Sequence, residues 1–178
     1  MLTKQSPHVE LRPLVRSDLG TLFAWWDEPE ASYLDSGDRA GPEQDFRERV
    51  LHAFDLVGMD GWYIIEDVSK RPVGYVLSRF YPEDPKRAEV AIRLSERYWG
   101  QGLGTASFDA LLKDLFRNNG VLGVWLTVYV FNRRAIRLYE RFGFAIEESF
   151  LDAKGMELFK MTLPRTTWND MNRSEACG

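Results

Sequence analysis

The sequence contains very little of the chemistry that metal sites and disulfides require. Of its 178 residues, one is a cysteine, Cys177, and two are histidines, His8 and His52. A lone cysteine excludes both a disulfide framework and a thiolate zinc cluster. Two isolated histidines are more typical of surface or partly buried positions than of metal ligands. The sequence therefore predicts no metal site.

Long apolar runs and an excess of positive charge are also missing. No run approaches the ~20 residues that a membrane helix needs, and the stretch MLTKQSPHVE lacks the apolar core of a signal peptide. The formal net charge is −4, which argues against broad nucleic-acid binding because that function normally shows a basic excess. We expect a cytoplasmic protein whose partners are neither a membrane nor a nucleic acid.

The composition is that of an ordinary globular domain. Apolar residues make up 44% of the chain, charged residues 28% and aromatic residues 13%, close to the average for soluble proteins. The length predicts a single domain with a sizeable core. We assign residues 1–164 to this domain and residues 165–178 to a polar C-terminal tail, whose composition is typical of disorder.

The hydrophobic pattern predicts an α/β fold with one mixed sheet and helices on its faces. Strands are expected where apolar residues alternate or form short runs, at 9–15, 61–69, 71–81, 87–94, 121–130, 144–153 and 156–163. Helices are expected at 18–27 with Ser17 as the cap, at 42–56, along the apolar stripe from Phe108 to Phe116, and from Asn132 to Gly143. A turn-rich loop is expected at 28–42. The resulting order is β-α-α-β-β-β-α-β-α-β-β.

Three glycines alternate in the stretch YWGQGLG, at Gly100, Gly102 and Gly104, between a predicted strand and a predicted helix. Glycines let an anion approach the backbone closely, and the start of a helix offers unpaired N–H groups with a partial positive charge. Thr105 can add a hydroxyl. The stretch predicts a phosphate site, and the glycines alone leave a tight turn without a ligand as the alternative.

Two other phosphate-binding motifs do not fit this stretch. A Walker A loop requires a lysine after the glycines, and none follows here. A dinucleotide-binding fingerprint requires a third glycine at the position that Thr105 occupies.

The residues around the glycines resemble a known family. The stretch from Tyr98 to Gly104, preceded by AEVAIRL and followed by NRRAIRLYERFGF, is similar to the GCN5-related N-acetyltransferases (GNAT), within them to the ribosomal-protein N-terminal and polyamine acetyltransferases. The family pattern Q/R-x-x-G-x-G/A falls on Trp99–Gly104, with Trp99 in place of Gln or Arg. A second motif appears as Asn132, Ala135, Ile136, Tyr139, Gly143 and Phe144. The resemblance spans about residues 9–163 and implies central parallel strands that splay apart.

The resemblance implies acetyl-CoA as co-substrate and assigns roles to individual residues. Cofactor binding falls on Ile92, Leu94, Trp99, Gly100, Gln101, Gly102, Leu103, Gly104, Thr105, Asn132 and Arg134. Glu89 is the expected base for the amine, and Tyr139 is the expected acid for the departing thiolate. The alternatives are a strand glutamate paired with Arg87 or Arg93, and a tyrosine packed in the core.

Acidic and aromatic residues cluster where the acceptor usually lies in this family, after the first predicted helix. The carboxylates are Asp27, Glu28, Glu30, Asp35 and Asp38, with Trp25, Trp26 and Tyr33 nearby. Such a cluster favours a polycation, through charge pairing and cation–π contact. We assign Trp26, Asp27, Glu28 and Tyr33 to acceptor binding, and a solvated acidic loop is the alternative.

These observations predict an N-acetyltransferase that moves an acetyl group from acetyl-CoA to a primary amine by direct attack in a ternary complex. The expected acceptor is a cationic small molecule, polyamine- or aminoglycoside-like, and a homodimer is the expected assembly. Three alternatives stay open: a ribosomal-protein type N-terminal acetyltransferase, a non-catalytic acyl-CoA-binding module and a nucleotide-binding protein. Against the first, Thr127 stands where some of those enzymes carry a glutamate base.

Overall fold

The computed structural model describes residues 7–37 and 61–175, with Ser174 and Glu175 described by their backbone alone. Within these residues the strands are β1 (Val9–Pro13), β2 (Trp62–Asp67), β3 (Pro72–Tyr81), β4 (Asp84–Leu94), β5 (Gly123–Tyr129), β6 (Ala145–Leu151) and β7 (Glu157–Pro164). The α-helices are α1 (Leu19–Trp26), α2 (Pro29–Ser36), α3 (Leu103–Lys113), α4 (Arg133–Arg141) and α5 (Arg165–Glu175). The helix predicted at 42–56 lies outside the described residues.

The strands form one mixed sheet in the order β1-β2-β3-β4-β5-β7-β6. β4 and β5 pair in parallel, as expected for two strands joined through a helix. Their register runs from Arg87 opposite Gly123 to Glu89 opposite Trp125, and both strands continue beyond it. The β1–β2, β2–β3, β5–β7 and β6–β7 pairs are antiparallel. The predicted mixed α/β fold class is confirmed.

The chain divides into two compact units. Unit 1 comprises Met1–Leu77 and Ile92–Leu111, and unit 2 comprises Ser78–Ala91 and Leu112–Gly178. Unit 1 therefore holds β1, β2, α1 and α2, and unit 2 holds β5, β6, β7, α4 and α5.

The core of unit 1 lies between α1 and β2. Leu14, Leu22, Trp25 and Ile64 are each at most 4% exposed. Partly buried side chains pack around them: Leu19, Phe23, Trp26, Trp62 and Tyr75. The two tryptophans of α1 therefore contribute to this core.

The core of unit 2 includes buried residues of β5 and β7 together with Leu112, Leu115 and Phe116. The predicted apolar stripe is confirmed, since these three residues, and Phe108 and Leu111 in unit 1, are all at most 2% exposed. The turn that follows α3, Asp114–Asn118, is π-helical. β5 is buried along most of its length, which fits the continuous apolar run in the sequence.

The polar segment after β7 is helical. Residues Arg165–Glu175 form α5, and Trp168 is 5% exposed with its ring centroid 5.1 Å from that of Phe116. The disorder expected from the composition is wrong for these residues, because one tryptophan gives the segment an apolar anchor. The domain boundary at residue 164 stays a prediction.

Residues 29–36 also differ from the expected loop, since they form α2. Pro29 occupies its first turn, where the missing N–H is no loss. The Glu96 carboxylate accepts the N–H groups of Glu30 and Ala31 at 2.7 and 2.9 Å. This capping group is remote in sequence, so local sequence patterns could not reveal it.

The entry into α1 differs in detail from the prediction. Ser17 lies in a 3₁₀ turn, Arg16–Asp18, and it is Asp18 whose carboxylate accepts the Val15 N–H at 2.9 Å. Arg12 donates two 2.7 Å hydrogen bonds to Asp18 and one to Glu66. This charged cluster ties β1 to the start of α1.

We expect Arg12→Met to lower the free energy of unfolding by about 2 kcal/mol at neutral pH, because two charge-assisted contacts are lost. The hydrogen bond from Arg12 is the largest cause holding the pKa of Asp18 below its ordinary value. A lowered folded-state pKa stabilises the protein above the unfolded pKa, and this contribution is lost as the pH falls through the folded pKa. The difference between wild type and variant should therefore shrink below about pH 4. Urea unfolding at several pH values measures it, and a difference that grows on acidification would contradict the assignment.

Candidate functional site

The glycine turn lies in unit 1 and exposes bare backbone. Gly100 and Gly102 have φ angles of +75° and +81°, a region that glycine adopts without a Cβ penalty. A Cβ built on Gly100 would meet nothing within 4 Å, and one built on Gly102 would lie 3.2 Å from Pro7 Cδ. The turn is therefore open on the side that Gly100 faces.

The turn leads directly into α3. The Ala106 N–H donates to the Gly102 carbonyl at 3.1 Å. The N–H groups that precede a first helical bond have no partner inside the helix, and here Leu103 and Gly104 precede it. The first turn of α3 contains no acidic residue. This arrangement suits an anion such as a phosphate.

Two side chains assigned to cofactor binding hold the turn in shape. Trp99 Nε1 donates to the Leu94 carbonyl at 2.9 Å, and Gln101 Nε2 donates to the Arg97 carbonyl at 3.0 Å. The indole N–H of Trp99 and the side-chain NH₂ of Gln101 are therefore engaged within the protein. For Trp99 and Gln101, the backbone is the better candidate for contacting a ligand.

The end of β4 is tightly packed against β3 within unit 1. The Ser95 N–H donates to the Val73 carbonyl at 3.0 Å. A Cβ on Gly74 would lie 2.2 Å from the Arg93 carbonyl oxygen, so the strands approach more closely there than a side chain allows. The half-buried residues Ile92 and Leu94, assigned to cofactor binding, lie on this constrained stretch.

The acidic residues of unit 1 are largely engaged with partners. Glu28, assigned to the acceptor, accepts the Ser95 hydroxyl at 2.5 Å and the Glu96 N–H at 2.9 Å. Asp35 pairs with Arg93 at 2.8 Å. The structure thus gives Glu28 a structural contact at the start of the turn that leads to the glycines.

Arg93, one of the two arginines considered as partners of Glu89, is buried. Its side chain is 4% exposed and also donates to the Trp25 carbonyl at 2.5 Å and to the Ser32 hydroxyl at 2.9 Å. A buried guanidinium is stable only when it is hydrogen-bonded in this way. Arg93 therefore joins β4 to α1 and α2 within unit 1.

The other residues assigned to the acceptor differ in exposure. Tyr33 is 44% exposed and Asp27 is exposed at the end of α1. Trp26 is partly buried against the unit 1 core.

Glu89, the candidate base, lies in unit 2 and has two polar partners from β3. Tyr81 donates its hydroxyl to Glu89 Oε2 at 2.5 Å, and Arg79 Nη1 lies 3.4 Å from the same oxygen. Burial, and next the bond to Glu89, raises the pKa of Tyr81 above its ordinary value, so the hydroxyl keeps its proton. The ion-pair partner is Arg79 rather than Arg87, which lies 3.9 Å from Asp84.

Sequence reasoning missed Tyr81 and Arg79. The signal was available, because 71–81 and 87–94 are consecutive predicted strands, and a tight turn between them brings such residues together. The Tyr81 ring also stacks on Trp125, with centroids 6.0 Å apart.

Asn132 and Tyr139 lie on α4 in unit 2. The Asn132 Oδ1 accepts the Ala135 N–H at 3.1 Å, which confirms the predicted cap. Tyr139 is 6% exposed, and its ring centroid lies 5.8 Å from that of Phe144. Its ring is thus packed in the core, as the alternative interpretation held, while the role of its hydroxyl stays a prediction. Arg134, assigned to the cofactor, is exposed on the same helix.

The fold and the glycine turn together define an α/β domain in which a positive-φ glycine turn leads from a central strand into a helix. A family model described as "Acetyltransferase (GNAT) domain" matches residues 8–145. The chain belongs to the GNAT family, as the motifs indicated. None of the helices described is long and apolar enough to cross a membrane.

Similar proteins include polyamine acetyltransferases. The chain is 36% identical over 78 residues to a spermine/spermidine N(1)-acetyltransferase of Bacillus subtilis, a match covering 40% of this chain and 51% of that protein. The matched stretch is thus about half the length of this relative.

Solved structures show the same fold along most of the chain. Spermidine N-acetyltransferase from Vibrio cholerae, in complex with CoA and spermine, superposes with a TM-score of 0.74 at 20% identity, covering 90% of this chain and 97% of that one. Aminoglycoside acetyltransferase AAC(6′)-Ib, in complex with coenzyme A and kanamycin, gives 0.75 at 22% identity, covering 93% and 99%.

Proposed function

We propose that this protein transfers an acetyl group from acetyl-CoA to a primary amine of a cationic small molecule. The observation that carries the proposal is the glycine turn, with two positive-φ glycines directly before α3, in a GNAT domain. The relatives support the acceptor class, because their names specify polyamines and one solved neighbour binds kanamycin. That the chain is a cytoplasmic homodimer stays a prediction from the sequence.

The backbone from Gly100 to Thr105 would hold the pyrophosphate of acetyl-CoA. Backbone N–H groups at the start of α3 supply donors, and the macrodipole of α3 supplies partial positive charge. Acetyl-CoA supplies a thioester carbonyl that an amine can attack. Ile92 and Leu94 offer strand backbone for the pantetheine arm, and Asn132 and Arg134 are the proposed contacts on α4.

Acetyl transfer requires three proton movements. The amine nitrogen forms a bond to the carbonyl carbon, the carbon–sulfur bond breaks, and the sulfur leaves as a thiolate. A lysine-like ammonium with a pKa near 10.4 must lose its proton first, and we assign this proton to Glu89, directly or through water. Tyr139 would give a proton to the departing thiolate. The second proton of the attacking nitrogen leaves as the amide forms and would restore the Tyr139 hydroxyl.

The Tyr81 hydrogen bond fixes one oxygen of the Glu89 carboxylate and leaves the other for the amine or a water. Arg79 Nη1 lies 3.4 Å from the same oxygen and gives the carboxylate a second partner on β3. Both contacts support a carboxylate held in one orientation, which general base catalysis needs.

For the acceptor, the exposed residues Asp27 and Tyr33 are the better candidates, with Trp26 beside them. A carboxylate and an aromatic ring can both attract an ammonium group. Glu28 is proposed to act indirectly, because its carboxylate holds Ser95 and Glu96.

The test is release of free CoA thiol from acetyl-CoA over a panel of amines. The panel contains spermidine, spermine, kanamycin, a basic peptide with a free N-terminus, and a neutral primary amine. We expect release with at least one polycation and weak release with the neutral amine. Release with the peptide alone would favour the N-terminal acetyltransferase. Acetyl-CoA binding by calorimetry without release on any amine would favour the non-catalytic module, and competition by ATP or NAD would favour a nucleotide site.

The glycine turn is tested by Gly102→Trp. We expect the Kd for acetyl-CoA to rise by about tenfold or more, because an indole fills the space where the pyrophosphate would lie and removes charge-assisted hydrogen bonds. Calorimetry measures the Kd.

Gly155→Trp is the matched control for this variant. Gly155 also has a positive φ, +78°, and its Cβ would meet nothing within 4 Å. The control therefore adds the same side chain at a positive-φ glycine in the β6–β7 turn, without the Pro7 contact present at Gly102, and we expect normal acetyl-CoA affinity. Normal affinity in Gly102→Trp would show that the cofactor lies elsewhere.

A further inference from the structure

Three arginines converge on one surface cavity of unit 2. The cavity has a volume of about 300 Å³, and Arg117, Arg165 and Arg173 line it. Among the side chains that the structure describes, none of these guanidinium groups forms an ion pair with a carboxylate. Arginine stays charged at all physiological pH values, so the cavity concentrates positive charge on a chain whose net charge is −4.

Two aromatic side chains form the floor of the cavity, and one of them lies under Arg117. Phe116 and Trp168 line the cavity and contact each other, and the Arg117 guanidinium lies over the Trp168 ring at 5.5 Å. Both aromatic side chains are buried, at 0% and 5% exposure, so they support the site rather than offer a stacking surface. The cation–π contact orients Arg117 over this floor.

Two asparagines complete the polar wall. Asn169 and Asn172 line the cavity, and Asn172 Nδ2 donates to the Trp168 carbonyl at 2.8 Å. The Asn172 amide is thereby held in one orientation. The cavity wall thus combines three cations with neutral hydrogen-bonding groups.

The backbone at this cavity is unusual as well. Phe116 and Arg117 lie in the π-helical turn Asp114–Asn118 that follows α3. Such turns are rare and occur frequently at functional sites, because they change the direction of side chains that an α-helix would place elsewhere.

We propose that this cavity binds a small anion bearing a phosphate group. Guanidinium forks match the geometry of phosphate oxygens and bind them with charge-assisted hydrogen bonds. The volume lies at the small end of the range for ligand sites, which fits a phosphate-bearing small molecule rather than a large one. An anion would also relieve the mutual repulsion of three like charges. The proposal does not depend on acetyl transfer, since the residues differ from those of the glycine turn.

The test is calorimetric titration of the full chain with inorganic pyrophosphate, followed by citrate and CoA. We expect pyrophosphate to bind, and Arg117→Gln and Arg165→Gln each to raise its Kd about tenfold, the effect of one charge-assisted contact. Arg137→Gln is the matched control: Arg137 is an exposed arginine on α4 that does not line the cavity. Its Kd should be that of the wild type. Arg165→Lys keeps the charge and should give an intermediate Kd.

The following measurements distinguish binding at the arginine cavity from binding at the glycine turn. The titration is repeated in Gly102→Trp, which blocks pyrophosphate at the glycine turn; the binding that remains there should be weakened by Arg117→Gln or Arg165→Gln, and binding lost in Gly102→Trp but kept in the arginine variants would overturn the proposal. Citrate bound as tightly as pyrophosphate would overturn the phosphate preference. Equal weakening in Arg137→Gln, or no binding at millimolar pyrophosphate, would also overturn it. A thermal melt of each variant without ligand shows whether α5 remains folded.

Discussion

Replacing Tyr139 with phenylalanine is expected to lower kcat for acetyl transfer by about 10²–10⁴-fold, the range that removal of a general acid produces. The Kd for acetyl-CoA should change little, because the variant loses one oxygen while the ring keeps its packing against Phe144. A loss confined to kcat indicates an interaction made in the transition state. Steady-state kinetics with the best polyamine, together with calorimetry of acetyl-CoA, measures the two constants.

Tyr129→Phe is the matched control for this prediction. Tyr129 is also buried in unit 2, and its hydroxyl donates to Asp152, a residue with no assigned role, at 2.9 Å. It should lower the free energy of unfolding by about 1 kcal/mol and leave kcat unchanged. If both variants reduced kcat equally, the effect of Tyr139 would be structural. Unchanged kcat in Tyr139→Phe would retire the acid assignment.

Regular elements of the sheet could be predicted because their signals are local. Alternation in VELRP and the apolar run before Tyr129 each specify a strand without reference to the rest of the chain. The helix between Asn132 and Gly143 was predicted at both ends, since the cap and the terminating glycine lie next to it in sequence.

Elements whose stabilising groups are distant could not be predicted in this way. α2 depends on a carboxylate from Glu96. α5 depends on Trp168 reaching Phe116, some fifty residues earlier. A polar composition is compatible with either a loop or a helix until such a contact is known.

The candidate site likewise has a part that the sequence predicts and a part that only the structure shows. The glycine turn could be recognised from the sequence, because few residue types other than glycine adopt its backbone angles. Whether a carboxylate is available to a ligand depends on its neighbours, and sequence spacing did not show that Glu28 contacts Ser95 or that Glu89 accepts from Tyr81.

Gly74→Ala is expected to destabilise the protein by at least about 3 kcal/mol, near the upper end of single-substitution effects. The added Cβ would lie 2.2 Å from the Arg93 carbonyl oxygen and 2.9 Å from Leu94 Cα, and backbone atoms cannot rotate away as side-chain ends do. β3 would have to move from the end of β4, which carries the buried Arg93. Urea unfolding measures the loss.

Gly20→Ala makes the same chemical change, and we expect it to raise the stability of the protein rather than lower it. Gly20 is exposed within α1 and its Cβ would meet nothing within 4 Å, so alanine should stabilise the helix by roughly 0.5–1 kcal/mol. The two variants add one methyl group each within unit 1, and the difference in sign follows from space alone. Because the same displacement would shift Ile92 and Leu94, Gly74→Ala should also weaken acetyl-CoA binding in whatever fraction stays folded. A Gly74→Ala protein as stable as wild type would show that β3 and β4 are farther apart at Gly74. The placement of the end of β4 beside the glycine turn would then be wrong.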